Sequence, residues 1–303
     1  MKKTLILTSR NIKMFFKDKA LFFTSLITPL ILLVLYATFL SNVYKDSFLQ
    51  VFGEFSVDGG IIDGLVGGQL VSSLLSVSCI TVAFCSNMLM VQDKVAGAFG
   101  DFCISPVRRS ELAISYFLAS ALSTLIITMS AVALGLTYLA FSGWFLSVAD
   151  VFLLILDVAI ISLFGTALSS IVNCFLSSQG QISAVGSIVS SCYGFICGAY
   201  MPISSFSEGL AKVLHCLPGT YATSLLRNHA MRGATAKLAQ SVPDEVVEAL
   251  KETVDMKISF FGSTVPVWVM TVVVSAWLLV SLFAYVAICI IRERRRIGKM
   301  KKG

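Results

Sequence analysis

The chain has 303 residues, of which 56% are hydrophobic and only 13% are charged. An ordinary soluble domain carries about 25% charged residues, which cover its surface. The composition therefore excludes a soluble globular enzyme, and the high hydrophobicity excludes a disordered chain. The net charge is +6 and the mean hydropathy is +0.87. These values predict an integral membrane protein.

Nearly uncharged runs divide the chain into segments of the length that a membrane span needs, about 20 mainly apolar residues. The runs are continuous, which favours helices over barrel strands, whose segments alternate and are about 10 residues long. We predict an all-α polytopic membrane protein with six transmembrane helices in residues 20–291. The predicted spans lie at about 20–40, 65–91, 112–141, 151–172, 182–201 and 264–291.

The basic residues give the orientation. Most of the 23 lysines and arginines lie at residues 1–19, between the second and third spans, and in the tail at 292–303. Six spans place these three segments on one side of the membrane. Because short cytoplasmic loops are enriched in Lys and Arg, we expect both termini in the cytoplasm and the segment 202–262 outside. The first apolar run is longer than the core of a signal peptide, about 7–15 residues, so we interpret it as a retained span.

The amino-terminal segment, residues 1–19, separates into two faces when it is drawn as a helix. Apolar side chains share one face and basic side chains share the other. This pattern is typical of an amphipathic helix in the cytoplasmic interface, with its basic face toward anionic headgroups. A plain positively charged anchor is the alternative. The residues assigned to this interfacial helix are Arg10, Lys13, Phe15, Phe16 and Lys17.

The loop at 92–111 is short and mixed in charge. Ser105-Pro106 breaks any helix there, because proline disfavours the helical conformation in the residue before it. An ordinary cytoplasmic turn and a docking element for a cytoplasmic partner both fit this pattern.

The fifth predicted span carries small residues at four-residue spacing, which lets helices approach closely. Tight packing within one subunit, a subunit interface and the lining of a translocation path are all compatible with such a stripe. Its members are Gly186, Ser190, Gly194 and Gly198.

Two short apolar stretches follow the fifth span and are separated by Pro218-Gly219, a turn signal. Each is too short to span a membrane, so we predict a helical hairpin that enters the outer leaflet and returns. Residues 241–254 then predict a small external amphipathic helix, with Pro243 in its first turn.

Asp157 is the ionisable residue placed well inside a predicted span, where charge is costly. It is close enough to the outer surface for a structural or interfacial role, and a role in a proton or cation relay is the alternative. His215 and His229 have no metal-binding spacing, and we predict surface or interfacial positions for both.

The sequence has no P-loop motif for ATP phosphates. We therefore expect no catalytic, cofactor-binding or metal site in this chain.

Together, three of these features resemble the membrane-spanning permease subunits of ABC-2 type ABC transporters, in the drug-resistance branch. They are the basic amphipathic helix, the loop at 92–111 and the proline-containing hairpin, and the resemblance covers nearly the whole chain. The family often has Glu-Arg-Glu where this chain has Gln92-Asp93-Lys94. The residues that the resemblance assigns to an ATPase-coupling loop are Asp93, Gly97, Asp101, Ser105, Pro106, Arg108 and Arg109. Those that it assigns to a re-entrant hairpin are Pro202, Pro218, Gly219, Tyr221 and Arg227.

The resemblance implies a multi-pass permease in the cytoplasmic (inner) membrane of a bacterium. Its partners would be a second permease subunit, identical or different, the membrane lipid and separate ABC ATPase subunits that bind ATP and Mg²⁺, with no nucleic acid. The implied function is efflux, as in multidrug export, of an amphiphilic or drug-like substrate along a path between subunits lined mainly by spans two and five. A glycan, lipid, peptide or sodium ion is the alternative cargo. An ATP-independent channel or carrier and a non-transporting membrane scaffold are alternatives of another class.

Overall fold

The computed structural model of the chain describes residues 2–53, 55–105, 107–260 and 263–300, and among them the side chains of all but residues 28, 99, 103, 260 and 293–300. Most of the described residues are helical, and the described strands form one short antiparallel hairpin, so the prediction of an all-α polytopic fold is confirmed. The helices are α1 (Lys2–Lys17), α2 (Lys19–Leu35), α3 (Ser41–Phe52), α4 (Gly59–Ser86), α5 (Leu89–Val95), α6 (Ala98–Ile104), α7 (Arg109–Ser142), α8 (Val148–Phe175), α9 (Gln179–Ile196), α10 (Glu208–Leu214), α11 (Pro218–Leu238), α12 (Asp244–Thr253) and α13 (Val267–Met300). A π-helical turn, Tyr36–Leu40, joins α2 to α3, and a 3₁₀ turn, Ile203–Ser205, precedes α10. The strands are β1 (Ser259–Phe260) and β2 (Ser263–Thr264).

Within the described residues, five helical segments are long and apolar enough to cross a membrane, which confirms a multi-pass membrane protein. They contain the first four predicted spans, and the last segment covers the sixth from residue 267 onward, because Ser263–Thr264 forms β2. The fifth predicted span corresponds to α9, which has 18 residues and is less apolar because it contains glutamines and serines. Its length of about 27 Å is close to the hydrocarbon thickness of about 30 Å, and its role as a span stays a prediction. The five segments are Lys19–Phe52, Gly59–Val95, Arg109–Ser142, Val148–Phe175 and Val267–Arg292.

The bundle has two distinct ends. At one end the loop after α4, the first turn of α7, the last turn of α8 and Arg292 of α13 come together. We call this the basic end. The opposite end holds α3, α12 and the short strands.

Helix α4 forms the centre of the bundle, and almost every residue along it is buried against α2, α7, α8, α9 and α11. Two glycines allow the closest crossings. A Cβ at Gly68 would lie 2.9 Å from the main-chain oxygen of Ala230 on α11, and one at Gly165 would lie 3.0 Å from that of Cys79. In this structure α4 therefore presents almost no surface from which to line a path between subunits. The expectation of a path lined by spans two and five fits only α9, whose surface is largely exposed.

The crossing at Gly68 predicts a loss of stability on adding a single methyl group. Gly68→Ala should lower the free energy of unfolding by about 1–3 kcal/mol, because the new Cβ meets a backbone carbonyl that cannot rotate away. The measurement is the midpoint of thermal unfolding in detergent. Gly209→Ala is the control, because a Cβ on this glycine of α10 meets nothing within 4 Å. Equal midpoints for the two variants would show that the crossing is not tight.

Candidate functional site

The buried carboxylate of Asp93 joins three helices at the basic end. Asp93 lies in α5 and is only 4% exposed. The guanidinium of Arg10, on α1, forms a two-pronged ion pair with it, in which Nη2 donates to Oδ1 at 3.2 Å and Nη1 to Oδ2. The hydroxyl of Tyr116, on α7, donates to Oδ2 at 2.5 Å. Through this one side chain, α5 is fastened to both α1 and α7.

The pairing changes the properties of Arg10. Its hydrogen bonds to Asp93 raise the pKa of Arg10 above its ordinary value. The guanidinium also stacks 5.1 Å from the ring centre of Phe102 on α6. Removing either partner of a largely buried ion pair leaves the other charge uncompensated, and this is more costly than the pair is stabilising. The contact therefore fixes the position of α1 along the bundle.

The predicted amphipathic helix exists, and its faces are arranged differently from the prediction. Phe15 packs inside the protein with Leu21, Val82 and Ile127, while Arg10 turns toward Asp93. Phe16 packs partly against the same cluster. The exposed side chains include Lys13 and Lys17 together with Leu5, Ile6 and Met14. The physical reason is the buried carboxylate, which attracts Arg10 toward the protein and turns that side of α1 inward.

Lys94, which sequence reasoning missed, anchors the same loop to a fourth helix. Its Nζ donates to the main-chain oxygens of Asn173 at 2.8 Å and Leu176 at 3.0 Å. Arg292 of α13 also donates to the main-chain oxygen of Cys174. The last carbonyls of a helix have no partners within it, and cations there also interact favourably with the helix dipole. Two cations therefore close the end of α8.

Asn87, also missed, forms a polar junction at the end of α4. Its amide nitrogen donates to the hydroxyls of Ser169 at 3.0 Å and Ser170 at 2.7 Å on α8, and its side-chain oxygen accepts from Ser120 of α7 at 3.1 Å. The side chain of Asn173 donates to the main-chain oxygen of Asn87 at 2.9 Å. The sequence does hold a signal for this junction. Asn87 follows a long uncharged run, and the adjacent serines Ser169 and Ser170 lie in another predicted span.

The loop beyond this anchor projects a short helix outward. Gly97 has a φ of +82°, in the left-handed region that favours glycine, and it turns the chain from α5 into α6. Asp101 is exposed on α6, and Ile104 is 85% exposed at its end. Ser105 is extended and ends α6, and Pro106 lies outside the described residues.

The first residues of α7 complete the loop. Arg108 is exposed, and its main-chain N–H donates to the Glu111 carboxylate at 3.0 Å, which caps α7. Arg109 is partly buried and lines a cavity beside α13. The structure thus divides the predicted coupling residues into a buried anchor, a glycine turn and an exposed tip.

Toward the opposite end, α10 and α11 lie where the sequence predicts a hairpin, and the entry of this hairpin into the membrane stays a prediction. α10 is largely exposed, whereas α11 packs between α4, α8 and α13. Thr223 lies 2.6 Å from the Ser76 hydroxyl of α4, and Arg232 lies 3.5 Å from Asp150 at the start of α8. Nine residues of helix separate these contacts, about 14 Å. α11 therefore begins inside the bundle, where Gly219 contacts Tyr193, and rises to the opposite end.

Arg227 is the buried centre of this hairpin and is 1% exposed. Its Nη2 donates to the main-chain oxygen of Gly198 at 2.5 Å, and its Nη1 lies 3.3 Å from the Asp255 carboxylate. Asp255 also accepts from the main-chain N–H of Ile203 at 2.6 Å, in the turn after Pro202. Tyr221 is buried on the same helix. Arg227 was predicted, and its partner Asp255 was not, because no motif marks it.

Asp157 has a partner that the sequence did not reveal. Its carboxylate lies 2.5 Å from Nδ1 of His229 on α11, and both residues are buried. The predicted surface position of His229 is therefore wrong, because α11 packs against α8 and encloses it. His215, by contrast, is partly buried near the hairpin turn, where burial lowers its pKa. No group of three side chains suited to a metal occurs in the part of the chain that the structure describes.

The small-residue stripe of α9 is used mainly within the chain. A Cβ at Gly194 would lie 2.3 Å from the ring of Tyr200, and one at Gly186 would lie 3.0 Å from Met88. Gly198 has a φ of +74° and forms the turn that Arg227 binds. Ser190 is exposed. Three of the four positions thus fit packing inside one subunit.

Comparison with protein-family models gives a match over most of the chain. The family model for ABC-2 type transporters matches residues 2–230, from the amino-terminal helix through most of α11. No curated protein matches the chain in sequence. The matched range includes the Asp93 junction and the Arg227 hairpin, and it ends before α12.

The ion pair at the basic end predicts a specific pattern of instability. Arg10→Gln should lower the free energy of unfolding by about 1–3 kcal/mol, because the buried Asp93 carboxylate loses its countercharge. Adding Asp93→Asn should recover part of that loss, since the uncompensated charge is removed. The measurement is thermal unfolding in detergent, with Lys13→Gln on the exposed side of the same helix as the control. If Arg10→Gln behaves like Lys13→Gln, the ion pair does not hold α1.

Proposed function

The chain belongs to the ABC-2 type transporter family, and we propose that it is the membrane-spanning subunit of an ATP-driven exporter whose ATPase chains dock at the basic end. Family membership makes it a transport permease and not a catalytic subunit. Export, the docking surface and the kind of cargo are the further content of the proposal.

The observation that carries the proposal is the way the exposed helix α6 is attached. It hangs from α5 through the Gly97 turn, and α5 is fastened to α1 and α7 through Asp93 and to α8 through Lys94. A force on α6 therefore acts on three helices at once and is not absorbed by a flexible loop. A permease that is moved by a separate ATPase needs a contact element of this kind, because the movement of the ATPase must be passed on to the membrane helices.

The contact surface for the ATPase would combine apolar and charged side chains. Ile104 is a large apolar residue with 85% of its surface exposed at the end of α6, and interfaces place such anchors at their centre. Asp101 and Arg108 are exposed on either side of it along the chain. Lys13 and Lys17 on α1 extend the charged surface.

The proposed cargo is amphiphilic or drug-like. The spans carry few charges, and α9 leaves serines and apolar residues exposed together, including Ile188 at 62% and Phe195 at 50%. A face of this composition suits a second permease subunit, identical or different, with a path for an amphiphile between the two. A glycan or a sodium ion would require more polar lining than α9 offers.

The docking proposal predicts that the exposed tip of the loop is needed for assembly. Purification in mild detergent from the native host should recover an ABC ATPase, identified by its nucleotide-binding motifs in peptide mass spectrometry. Ile104→Asp combined with Arg108→Glu should reduce the recovered ATPase about tenfold or more, because a central anchor is lost and a charge is reversed.

The permease variant should elute from size exclusion like the natural chain. Lys237→Glu, a charge reversal at the exposed end of α11, is the control. Equal recovery of the ATPase with both variants would contradict docking at α6.

The exporter proposal predicts ATP-dependent accumulation of an amphiphilic dye in inside-out vesicles that contain the assembled complex. Screening the ATPase rate against dyes, glycans, lipids, peptides and sodium should give stimulation by amphiphilic dyes and none by glycans or sodium. Asp157→Asn should lower stability but leave transport coupled to ATP, because Asp157 is already bound to His229 in a buried pair. Transport without any ATPase that this variant abolishes would instead support an ATP-independent carrier.

A further inference from the structure

Two cysteine side chains meet at the basic end. Cys174 lies in the last turn of α8 and is 5% exposed, and Cys289 lies in α13 and is partly exposed. Both thiols are free, and each lies within hydrogen-bonding reach of the other. Both residues also line a cavity of about 130 Å³ between α5, α7, α8 and α13. The proposed transport cycle does not use this pair of thiols.

Contacts on either side of Cys289 fix its position against the bundle. Arg292 lies one turn further along α13, and its guanidinium donates to the main-chain oxygen of Cys174. Tyr285 lies one turn earlier, and its hydroxyl donates to the main-chain oxygen of Ala113 on α7 at 2.9 Å. Positions 285, 289 and 292 share one face of α13, because side chains three and four residues apart are neighbours on a helix. The approach of the two thiols is therefore set by the packing of α13 against α7 and α8.

We propose that Cys174 and Cys289 are a site of thiol oxidation, at which hydrogen peroxide joins them in a disulfide. Cys289 reacts first, because it is the more exposed of the two and reactive cysteines are partly accessible. Its thiolate attacks one peroxide oxygen, the O–O bond breaks, and the released hydroxide takes up the thiol proton to form water. The sulfenic acid left on Cys289 is then attacked by the sulfur of Cys174, and its S–O bond breaks as the S–S bond forms. The oxygen leaves as a second water molecule, so the two thiols lose two electrons and the peroxide gains them.

The surroundings of the pair suit this reaction. The cavity beside the thiols has room for several water-sized molecules, so a peroxide can occupy it. Cys174 needs no access to solvent, because it attacks a sulfur atom that already lies beside it. The new bond would add a covalent link to the hydrogen bond of Arg292 that joins α8 and α13. The inference does not depend on transport or on the docking of an ATPase.

The test is treatment of the purified, reduced chain in detergent with hydrogen peroxide. The chain is then denatured, its remaining thiols are blocked, and its peptides are analysed by mass spectrometry without reductant. Peptides that contain Cys174 and Cys289 should be recovered as a linked pair, lighter by two hydrogen atoms than the two free peptides. Dithiothreitol should release them. If both thiols stay free at a peroxide dose that oxidises the exposed Cys192 and Cys216, the proposed site does not exist.

Two variants separate the paired thiols from general oxidation. Cys192→Ser with Cys216→Ser removes two exposed thiols and should leave the yield of the linked pair unchanged. Cys174→Ser should abolish the link and leave Cys289 as a sulfenic acid, which dimedone traps. In the natural chain the adjacent thiol should consume this sulfenic acid, so dimedone labelling of Cys289 should be lost. Equal labelling of the natural chain and Cys174→Ser, or links to other cysteines in place of this pair, would overturn the inference.

Discussion

One buried carboxylate determines the arrangement of the basic end. Asp93 is enclosed where α1, α5 and α7 meet, and Arg10 and Tyr116 are its partners. An ionised group in such a place persists only if it is paired and hydrogen-bonded. The position of α1 is thus tied to the position of α5. The outward direction of α6 is therefore set by a loop whose base is held by both α1 and α7.

A buried ion pair is a weak source of stability compared with apolar packing, and its value here is geometric. An apolar contact between α1 and the bundle would allow the helix to slide along its axis or rotate. The forked pairing of Arg10 with Asp93 allows one position. Lys94 adds the same kind of constraint toward α8, since its ammonium group must reach carbonyls that only the last turn of that helix offers. Adjacent side chains of opposite charge thus hold the loop from two directions.

The sequence predicts the spans well because charge is excluded from them over long runs, and this signal is local. The resemblance to the ABC-2 permease family also singles out Asp93, Gly97 and Arg227. The sequence does not reveal Tyr116, Asp255 or Asn87, since each acts through a partner that is remote in the chain and follows no periodic pattern. His229 was placed at the surface for the same reason. The hydropathy of α11 is near neutral, which is typical of a helix outside the membrane. Only its packing against α4 and α8 shows that most of this helix is buried in the bundle.

The two ends of the molecule are connected through α4, and its packing decides how a displacement travels. Gly68 of α4 allows close contact with the backbone of α11, and Gly165 of α8 allows close contact with the backbone of α4. These crossings are therefore tightly packed, with no room for one helix to shift toward the other. A tightly packed helix transmits a push as a rigid-body shift and does not compress. At the basic end, Asn87 couples α4 to α7 and α8, and toward the other end Ser76 couples it to Thr223 of α11. A push on α6 would therefore reach α11 as a shift of α4 against it. The contacts of Arg227 with Gly198 and Asp255 would then either resist this shift or break.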